Sequence, residues 1–212
     1  LTGSRYPWAR HVAGLFERDY FDAARRASVL LAAADQNTID RTAQNSNGRL
    51  PADRVNHFPT AVDTRVFRCL PRRDARRALG LDGDSVVIIS TGRISTPKGW
   101  RLVLESFRLL AARHEDVRLI FVGDGEDRQL LADQIAASAL VGKVSVTGFQ
   151  PPEVVALYLN AGDVFVLASE REGWSTSLLE ALACGMSVVC TDVSSARELI
   201  REGMNGFVLK SR

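Results

Sequence analysis

The stretch DVFVLASEREGWSTSLLEALACGMSVVCT, residues 163–191, decides the fold that the sequence predicts. Its two apolar, β-branched runs, 163–169 and 186–191, have the composition of buried strands, and the segment 175–184 between them has helical spacing. A strand, a helix and a second strand in this order form a crossover unit, whose two strands lie parallel in one sheet.

The same alternation continues on both sides of this stretch. The predicted strands are 85–91, 117–123, 143–148, 163–169, 186–191 and 206–209. The predicted helices between them are 98–113, 126–139, 152–161, 175–184 and 195–202. Because the strands are almost continuously apolar, both faces of their sheet should be covered. The sequence therefore predicts an α/β fold, a Rossmann-like parallel sheet with helices on both faces.

The first sixty residues have a different pattern. The predicted elements there are a helix over 12–27, a strand over 28–35, a helix over 36–46 and a strand over 54–59. Residues 60–71 have no clear period and contain a proline, so we interpret them as a linker to a domain over 72–212. Because residue 1 is leucine and a strand lies at the other end, the chain is expected to be a fragment of a longer protein.

Composition narrows the class of protein. The 212 residues are 46% hydrophobic and 25% charged, which is ordinary for a soluble globular protein, and a net charge of +2 gives no global nucleic-acid footprint. The cysteines Cys69, Cys184 and Cys190 fit neither a zinc motif nor a disulfide framework, which favours a reducing compartment. No apolar run approaches the ~18 residues that span a membrane. These features predict a cytoplasmic protein.

The first candidate site is GRISTPKG, residues 92–99, which lies between a predicted strand and a predicted helix. Ligands of open parallel sheets bind beyond the carboxyl ends of the strands, where this segment lies. Gly92 lets the backbone come close to a ligand, and the following helix N-terminus favours anions. Arg93 and Lys98 add two positive charges, which suit a diphosphate. The alternative is a glycine turn with two solvated cations.

The second candidate site is a pair of carboxylates, Glu172 and Glu180. Glu172 follows a predicted strand, and Glu180 lies in the first two turns of the next helix, which Ser175 or Thr176 can cap. Unpaired amides at the start of this helix attract anions, and carboxylates accept hydrogen bonds from sugar hydroxyls. Both acids could instead be solvated, but the apolar neighbours of Glu180 mean that its carboxylate needs a partner. Together, the two sites suit a nucleotide-sugar.

Two further motifs are weak matches to known sites. GDGEDR, residues 123–128, begins like a dinucleotide-binding fingerprint but has arginine in place of the third glycine. DGD, residues 82–84, precedes its strand, so it lies at the wrong edge of the sheet and predicts no metal site. The histidines His11, His57 and His114 lie in no catalytic pattern, and we interpret them as structural residues.

In order along the chain, GRISTPKG, VGDGEDR, VTGF and DVFVLASEREGWSTSLLEALACG resemble the donor-binding domain of retaining glycosyltransferases with the GT-B architecture, above all those of family 4. The resemblance covers residues 55–212 well and residues 1–54 loosely. It implies that 1–59 is a remnant of the N-terminal, acceptor-binding domain. It also implies that 72–212 is the nucleotide-sugar-binding domain without its C-terminal tail, so that this chain alone is an incomplete enzyme.

The resemblance implies a role for each candidate residue. Arg93 and Lys98 would contact the diphosphate and stabilise it as the leaving group. Glu172 would contact hydroxyls of the donor sugar, and Glu180 would hold the ribose hydroxyls. The remaining residues, implied to approach the phosphate, the sugar or the base, are Gly92, Gly148, Phe149, Gly173, Thr176 and Ser177.

The sequence departs from the family pattern at two sites. Gly173-Trp174-Ser175 replaces the common Gly-Phe-Gly, and Trp174 should conserve bulk while Ser175 could cap the helix. Ser194-Ser195 replaces the usual pair of glycines after the next strand, and the sequence offers no strong account of this change.

The resemblance implies a retaining transfer of a sugar from a nucleoside-diphosphate sugar to an acceptor hydroxyl of a glycan, glycolipid or small molecule, as in polysaccharide biosynthesis. UDP is the expected nucleotide, with GDP open, and neither a metal nor another cofactor is expected. The alternatives are a nucleotide-sugar-binding module without transfer activity and a related GT-B epimerase or phosphorylase.

A basic helix face suggests one further partner. Its four arginines are Arg72, Arg73, Arg76 and Arg77. Either this face is merely solvated, or it contacts anionic lipid and gives a weak peripheral association with the inner membrane surface.

Overall fold

The structure of the chain, a computed structural model, divides into two compact units, Leu1–Pro59 and Thr60–Arg212. The residues that it describes are 22–32, 36–81, 83–193 and 195–209.

The smaller unit contains a two-stranded parallel sheet. Its elements are β1 (Leu30–Ala32), α1 (Gln36–Asn45) and β2 (Val55–His57). Residues 22–26 are helical as well. All of these elements fall within the predicted ones, whose residues 12–21 and 33–35 lie outside the described part of the chain.

The larger unit is built on a six-stranded sheet whose strands are all parallel. The strands are β3 (Val86–Thr91), β4 (Val117–Val122), β5 (Val144–Val146), β6 (Val164–Leu167), β7 (Ser187–Thr191) and β8 (Gly206–Leu209). The helices are α2 (Arg72–Ala78), α3 (Trp100–Ala111), α4 (Arg128–Ala136), α5 (Pro152–Ala161), α6 (Thr176–Ala183) and α7 (Ala196–Leu199). The spatial order β5-β4-β3-β6-β7-β8 reverses direction at β3.

Helices cover both faces of this sheet. On one face, α5, α6 and α7 bury a core that contains Leu159, Phe165 and Leu178, all fully buried. On the other face, α3 and α4 bury a second core with Leu119 and Leu131 at its centre. The predicted α/β fold, a Rossmann-like parallel sheet with helices on both faces, is confirmed.

The segment predicted as a linker, 60–71, has no regular structure but packs within the larger unit. Phe67 is buried in the first core. The backbone amide of Leu70 donates to Oδ1 of Asn160 at 2.7 Å, and Nδ2 of Asn160 donates to the carbonyl of Arg68 at 3.0 Å. This buried amide therefore fixes the segment against α5.

Three of the four arginines on the basic face of α2 have carboxylate partners within the larger unit. Arg72 and Arg76 both form salt bridges with Asp163, the latter at 2.7 Å. Arg77 lies 3.6 Å from Asp74. The contacts with Asp163 dock α2 against the sheet. In the described part of the chain, no helix is long and apolar enough to cross a bilayer.

The parallel pairing of β3 with β6 brings two loops together at the carboxyl edge of the sheet. Gly99 has a left-handed φ of 75°, and a β-carbon built on it would lie 1.9 Å from the carbonyl oxygen of Ala168. The amide of Glu170 donates to the carbonyl of Pro97 at 2.8 Å. The cation loop, residues 92–99, therefore lies directly against the loop after β6.

The motif GDGEDR, which follows β4, holds the cation loop from the other side. A β-carbon on Gly123 would lie 1.9 Å from the carbonyl oxygen of Gly92, and one on Gly125 would lie 2.3 Å from that of Ile94. The amide of Asp127 donates to the carbonyl of Ile94 at 3.1 Å. The glycines of this motif thus permit the close approach of two backbones.

Gly99→Ala is expected to destabilise the larger unit by more than Gly142→Ala does. Both glycines have a left-handed φ, 75° and 82°, so both substitutions carry the backbone cost of about 1–2 kcal/mol. Nothing lies within 4 Å of a β-carbon on Gly142, whereas one on Gly99 meets the backbone of Ala168. Urea unfolding of both variants measures the difference, and equal losses would contradict the close approach of the two loops.

Candidate functional site

A cleft of about 500 Å³ opens at the carboxyl ends of β3, β4 and β6. It gathers most of the residues that the sequence predicts for the site, although they come from three separate segments. The predicted residues that line it are Gly92, Arg93, Lys98, Phe149, Glu172, Thr176, Ser177 and Glu180. Gly148 and Gly173 are not among its lining residues, although each is the neighbour of one that is.

An ion pair joins the two predicted sites. Nζ of Lys98 lies 2.7 Å from Oε1 of Glu172, and the Glu172 side chain is only 11% exposed. The hydroxyl of Ser169, which is fully buried, donates to the same oxygen at 2.6 Å. The cation predicted for the diphosphate and the carboxylate predicted for the sugar are thus direct neighbours.

The start of α6 is open toward the cleft. Ser175 occupies the N-cap position, as predicted, but its side chain makes no capping hydrogen bond within the described residues. Its hydroxyl lies instead 3.1 Å from that of Ser177. The prediction of a capping hydrogen bond from this serine is therefore wrong, and no side chain of the described residues caps the first amides of α6.

The structure gives a role to Ser195, one of the two adjacent serines whose presence the sequence did not explain. It is fully buried, and its Oγ accepts a hydrogen bond from the backbone amide of Ser175 at 3.2 Å. The contact ties the start of α7 to the start of α6 and so fixes the N-terminus that faces the cleft. Its neighbour Ser194 lies outside the described residues.

Glu180 is half-buried in the cleft, and among the described residues its carboxylate has neither a hydrogen bond nor an ion pair. Burial without a compensating cation raises the pKa of Glu180 from 4.5 to about 7. The sequence predicts a partner for this carboxylate, and no described side chain supplies it. The carboxylate is therefore placed to accept hydrogen bonds from a ligand.

Arg93 and Phe149 lie in the more exposed parts of the cleft. Arg93 is exposed, and within the described residues its guanidinium has no carboxylate partner, so its charge is available to an anion. Phe149 is 80% exposed on the loop after β5. An exposed aromatic face at the rim of a polar cleft suits stacking by a planar ring.

Asp127 is a supporting residue that the sequence analysis did not identify. Its Oδ2 accepts hydrogen bonds from Nε1 of Trp100 at 2.9 Å and from Oγ1 of Thr96 at 2.7 Å. These two bonds, with Arg101 nearby, lower the pKa of Asp127. Because Thr96 begins the short turn that contains Lys98, the carboxylate holds the cation loop in place. Asp127 belongs to the motif GDGEDR, which we interpreted from sequence only as a weak match to a dinucleotide-binding fingerprint.

No group of three or more histidine, cysteine, aspartate or glutamate side chains in the described part of the chain is arranged to hold a metal ion. The DGD segment lies before β3, as predicted, although its Asp82 falls outside that part.

Glu180→Gln is expected to become more stable relative to the wild type as the pH rises. Between pH 4.5 and about 7, the folded protein binds more protons at Glu180 than the unfolded chain does, so its free energy of unfolding falls with rising pH. Glutamine does not titrate and escapes this loss. Urea unfolding at several pH values across this window measures the difference between the two proteins.

Glu153→Gln, which changes an exposed glutamate at the start of α5, is the matched control for that titration. Its stability difference from the wild type should vary less with pH than that of Glu180→Gln. A difference for Glu180→Gln that stays constant with pH would contradict the desolvated carboxylate.

Comparison with known proteins identifies the family. The model of the family described as "Glycosyl transferases group 1" matches residues 71–212. The chain is 30% identical over 217 residues to alpha-D-kanosaminyltransferase of Streptomyces kanamyceticus, a match that covers 99% of this chain and 56% of that protein. It is 34% identical over 165 residues to D-inositol 3-phosphate glycosyltransferase of Geodermatophilus obscurus, covering 73% and 36%. The chain thus spans about half the length of these relatives, or less.

Solved structures share the fold of the larger unit. HepE of Anabaena in complex with UDP-glucose superimposes with a TM-score of 0.75 and 26% identity, over 88% of this chain and 51% of that one. Sucrose-phosphate synthase of Thermosynechococcus elongatus has a TM-score of 0.75 at 19% identity, over 90% and 47%, and shares the fold. The predicted resemblance is confirmed: the chain belongs to the glycosyl transferases group 1 family, and its larger unit is the C-terminal domain of such a protein.

Proposed function

We propose that the protein is a retaining glycosyltransferase, which transfers a sugar from a nucleoside-diphosphate sugar to an acceptor hydroxyl. One observation carries the proposal: a single cleft combines two cations and an uncapped helix start with two carboxylates of different environment. The cations and the helix start suit a diphosphate, and the two carboxylates suit the hydroxyls of two sugar rings.

The diphosphate is proposed to bind between the cation loop and α6. Arg93 has no carboxylate partner among the described residues, and Lys98 is 40% exposed despite its ion pair. The first amides of α6 add donors that no described side chain caps. Such donors and charges favour an anion at a helix N-terminus without a metal ion.

The two carboxylates are proposed to bind the two sugar rings. Glu180 lies on α6 and lacks a partner among the described residues, so the ribose hydroxyls would supply the hydrogen bonds that its burial requires. Glu172 touches Lys98, so a sugar hydroxyl bound there lies beside the diphosphate. The base would stack near Phe149 at the rim.

In the proposed reaction, the bond between the anomeric carbon and the diphosphate oxygen breaks, and its electron pair stays on the diphosphate. Arg93, Lys98 and the amides of α6 are set in advance to stabilise the charge that develops there. The acceptor oxygen attacks the anomeric carbon from the same face, and its proton passes to the departing phosphate oxygen. This front-side route retains configuration and requires no nucleophile from the protein.

UDP is the proposed nucleotide. The support is the similarity to Anabaena HepE, whose structures contain UDP and UDP-glucose, at 25–26% identity. The proposed acceptor is a hydroxyl of a glycan, a glycolipid or a small molecule. A cytoplasmic location is proposed with it, and the three cysteines, free in this structure, support that proposal.

Arg93→Ala and Glu180→Ala are each expected to weaken binding of UDP. Loss of one charge-assisted contact costs on the order of 1.5–3 kcal/mol, which corresponds to roughly 10- to 150-fold in affinity. Calorimetric titration of UDP measures the change. Arg73→Ala, which removes an exposed arginine of α2 outside the cleft, should bind UDP like the wild type. Wild-type affinity in both cleft variants would refute the assignment.

Transfer is expected to retain the anomeric configuration and to survive removal of divalent metal. The cations of the cleft belong to the protein, so a chelator should leave the rate unchanged. Proton NMR of the first product formed by the full-length protein from a UDP-sugar and a panel of acceptors reports the configuration. An inverted product would refute the front-side route, and a rate abolished by chelator would refute metal independence.

A further inference from the structure

We propose that Ser169 is a positioning residue, which orients the Glu172 carboxylate toward the sugar of the donor. The inference rests on the proposed function and deepens it, because it adds a buried residue that supports recognition of the sugar, as distinct from the nucleotide, by Glu172. Ser169 lines the cleft at the end of β6 and is fully buried.

Two donors converge on one oxygen of Glu172. The Ser169 hydroxyl donates to Oε1 at 2.6 Å, and Nζ of Lys98 lies 2.7 Å from the same atom. Within the described residues, Oε2 has no partner, so it is the oxygen left to accept a hydrogen bond from a sugar hydroxyl. The orientation of the carboxylate therefore decides whether that acceptor points into the cleft.

The two donors differ in how firmly they can fix this orientation. Lys98 is 40% exposed and carries a point charge on a flexible stem, which follows a carboxylate as it turns. Ser169 is held from behind, because the hydroxyl of Thr191, at the end of β7, donates to its carbonyl at 2.7 Å. Both serine and threonine are buried. Ser169 is thus the rigid member of the pair.

This division leaves Lys98 able to turn toward the diphosphate while Glu172 keeps its orientation. A carboxylate held by lysine alone would lose its alignment when the lysine moved to phosphate. The serine hydroxyl keeps one hydrogen bond on Oε1 throughout. The expected consequence is that loss of the hydroxyl impairs binding of the complete nucleotide-sugar and spares binding of the bare nucleotide.

Calorimetry with UDP and with UDP-sugars on wild type and variants tests this. The probe is whichever of UDP-glucose, UDP-galactose and UDP-N-acetylglucosamine the wild type binds most tightly. Ser169→Ala should weaken binding of that UDP-sugar by roughly 5- to 20-fold, at or below the low end of the effect of removing a charge-assisted contact to the ligand itself, because the hydroxyl acts only through Glu172. The affinity for UDP should change less than about twofold. Ser169→Cys, whose thiol is somewhat bulkier and donates only weakly, should have a UDP-sugar affinity between those of the wild type and Ser169→Ala.

A double-variant cycle separates positioning from a merely structural role. In a Glu172→Ala background, Ser169→Ala should cause no further loss of UDP-sugar affinity, because the group that it positions is gone. Ser138→Ala, which removes a hydroxyl bonded to the carbonyl of Ile135 outside the cleft, controls for the general cost of losing a serine hydroxyl. Thermal unfolding of each variant checks that it is folded.

The outcomes are distinguishable. Equal weakening of UDP and UDP-sugar by Ser169→Ala, or a loss that persists in the Glu172→Ala background, overturns the positioning role and leaves the proposed function standing. Unchanged UDP-sugar affinity in Ser169→Ala does the same. A wild-type protein that binds neither UDP nor any UDP-sugar of the panel overturns the proposed function and this inference together.

Discussion

The close approach of two backbone loops at the carboxyl edge of the sheet is the constraint on which the candidate site depends. β3 and β6 are parallel neighbours, so the segments that follow them leave the sheet side by side. Gly99 permits the contact, since any side chain there would meet the carbonyl oxygen of Ala168 at 1.9 Å. This approach sets Lys98 beside Glu172, although the two are 74 positions apart in the sequence. The cation site and the carboxylate site are therefore one site.

The two carboxylates of the cleft differ in environment, and the difference has a physical cause. Glu172 receives a lysine and a serine hydroxyl, so its charge is compensated within the protein. Glu180 is half-buried and has no such partner among the described residues, so desolvation raises its pKa to about 7. A desolvated acceptor is stabilised by whatever brings hydrogen-bond donors to it. The hydroxyls of the proposed nucleotide-sugar would offset this cost of burial.

The fold and the outline of the site could be predicted because their signals are local. Apolar runs, helical spacing and glycines after strands lie within short stretches of sequence, and the strands and helices of the larger unit follow them. The residues that support the site could not be predicted, because each depends on a partner distant in sequence. Ser195 matters through the amide of Ser175, and Asp127 matters through Thr96. Arg76, which could be a solvated residue by sequence alone, forms a salt bridge with Asp163 in the fold.

The most direct test is a crystal structure of the protein in complex with a UDP-sugar. The account predicts the diphosphate between the guanidinium of Arg93 and the first amides of α6, with ribose hydroxyls within hydrogen-bond distance of Glu180. It also predicts a hydroxyl of the transferred sugar within hydrogen-bond distance of Glu172, which still accepts from Ser169. A nucleotide bound outside this cleft, or bound within it with neither glutamate in contact with a hydroxyl, would contradict the account.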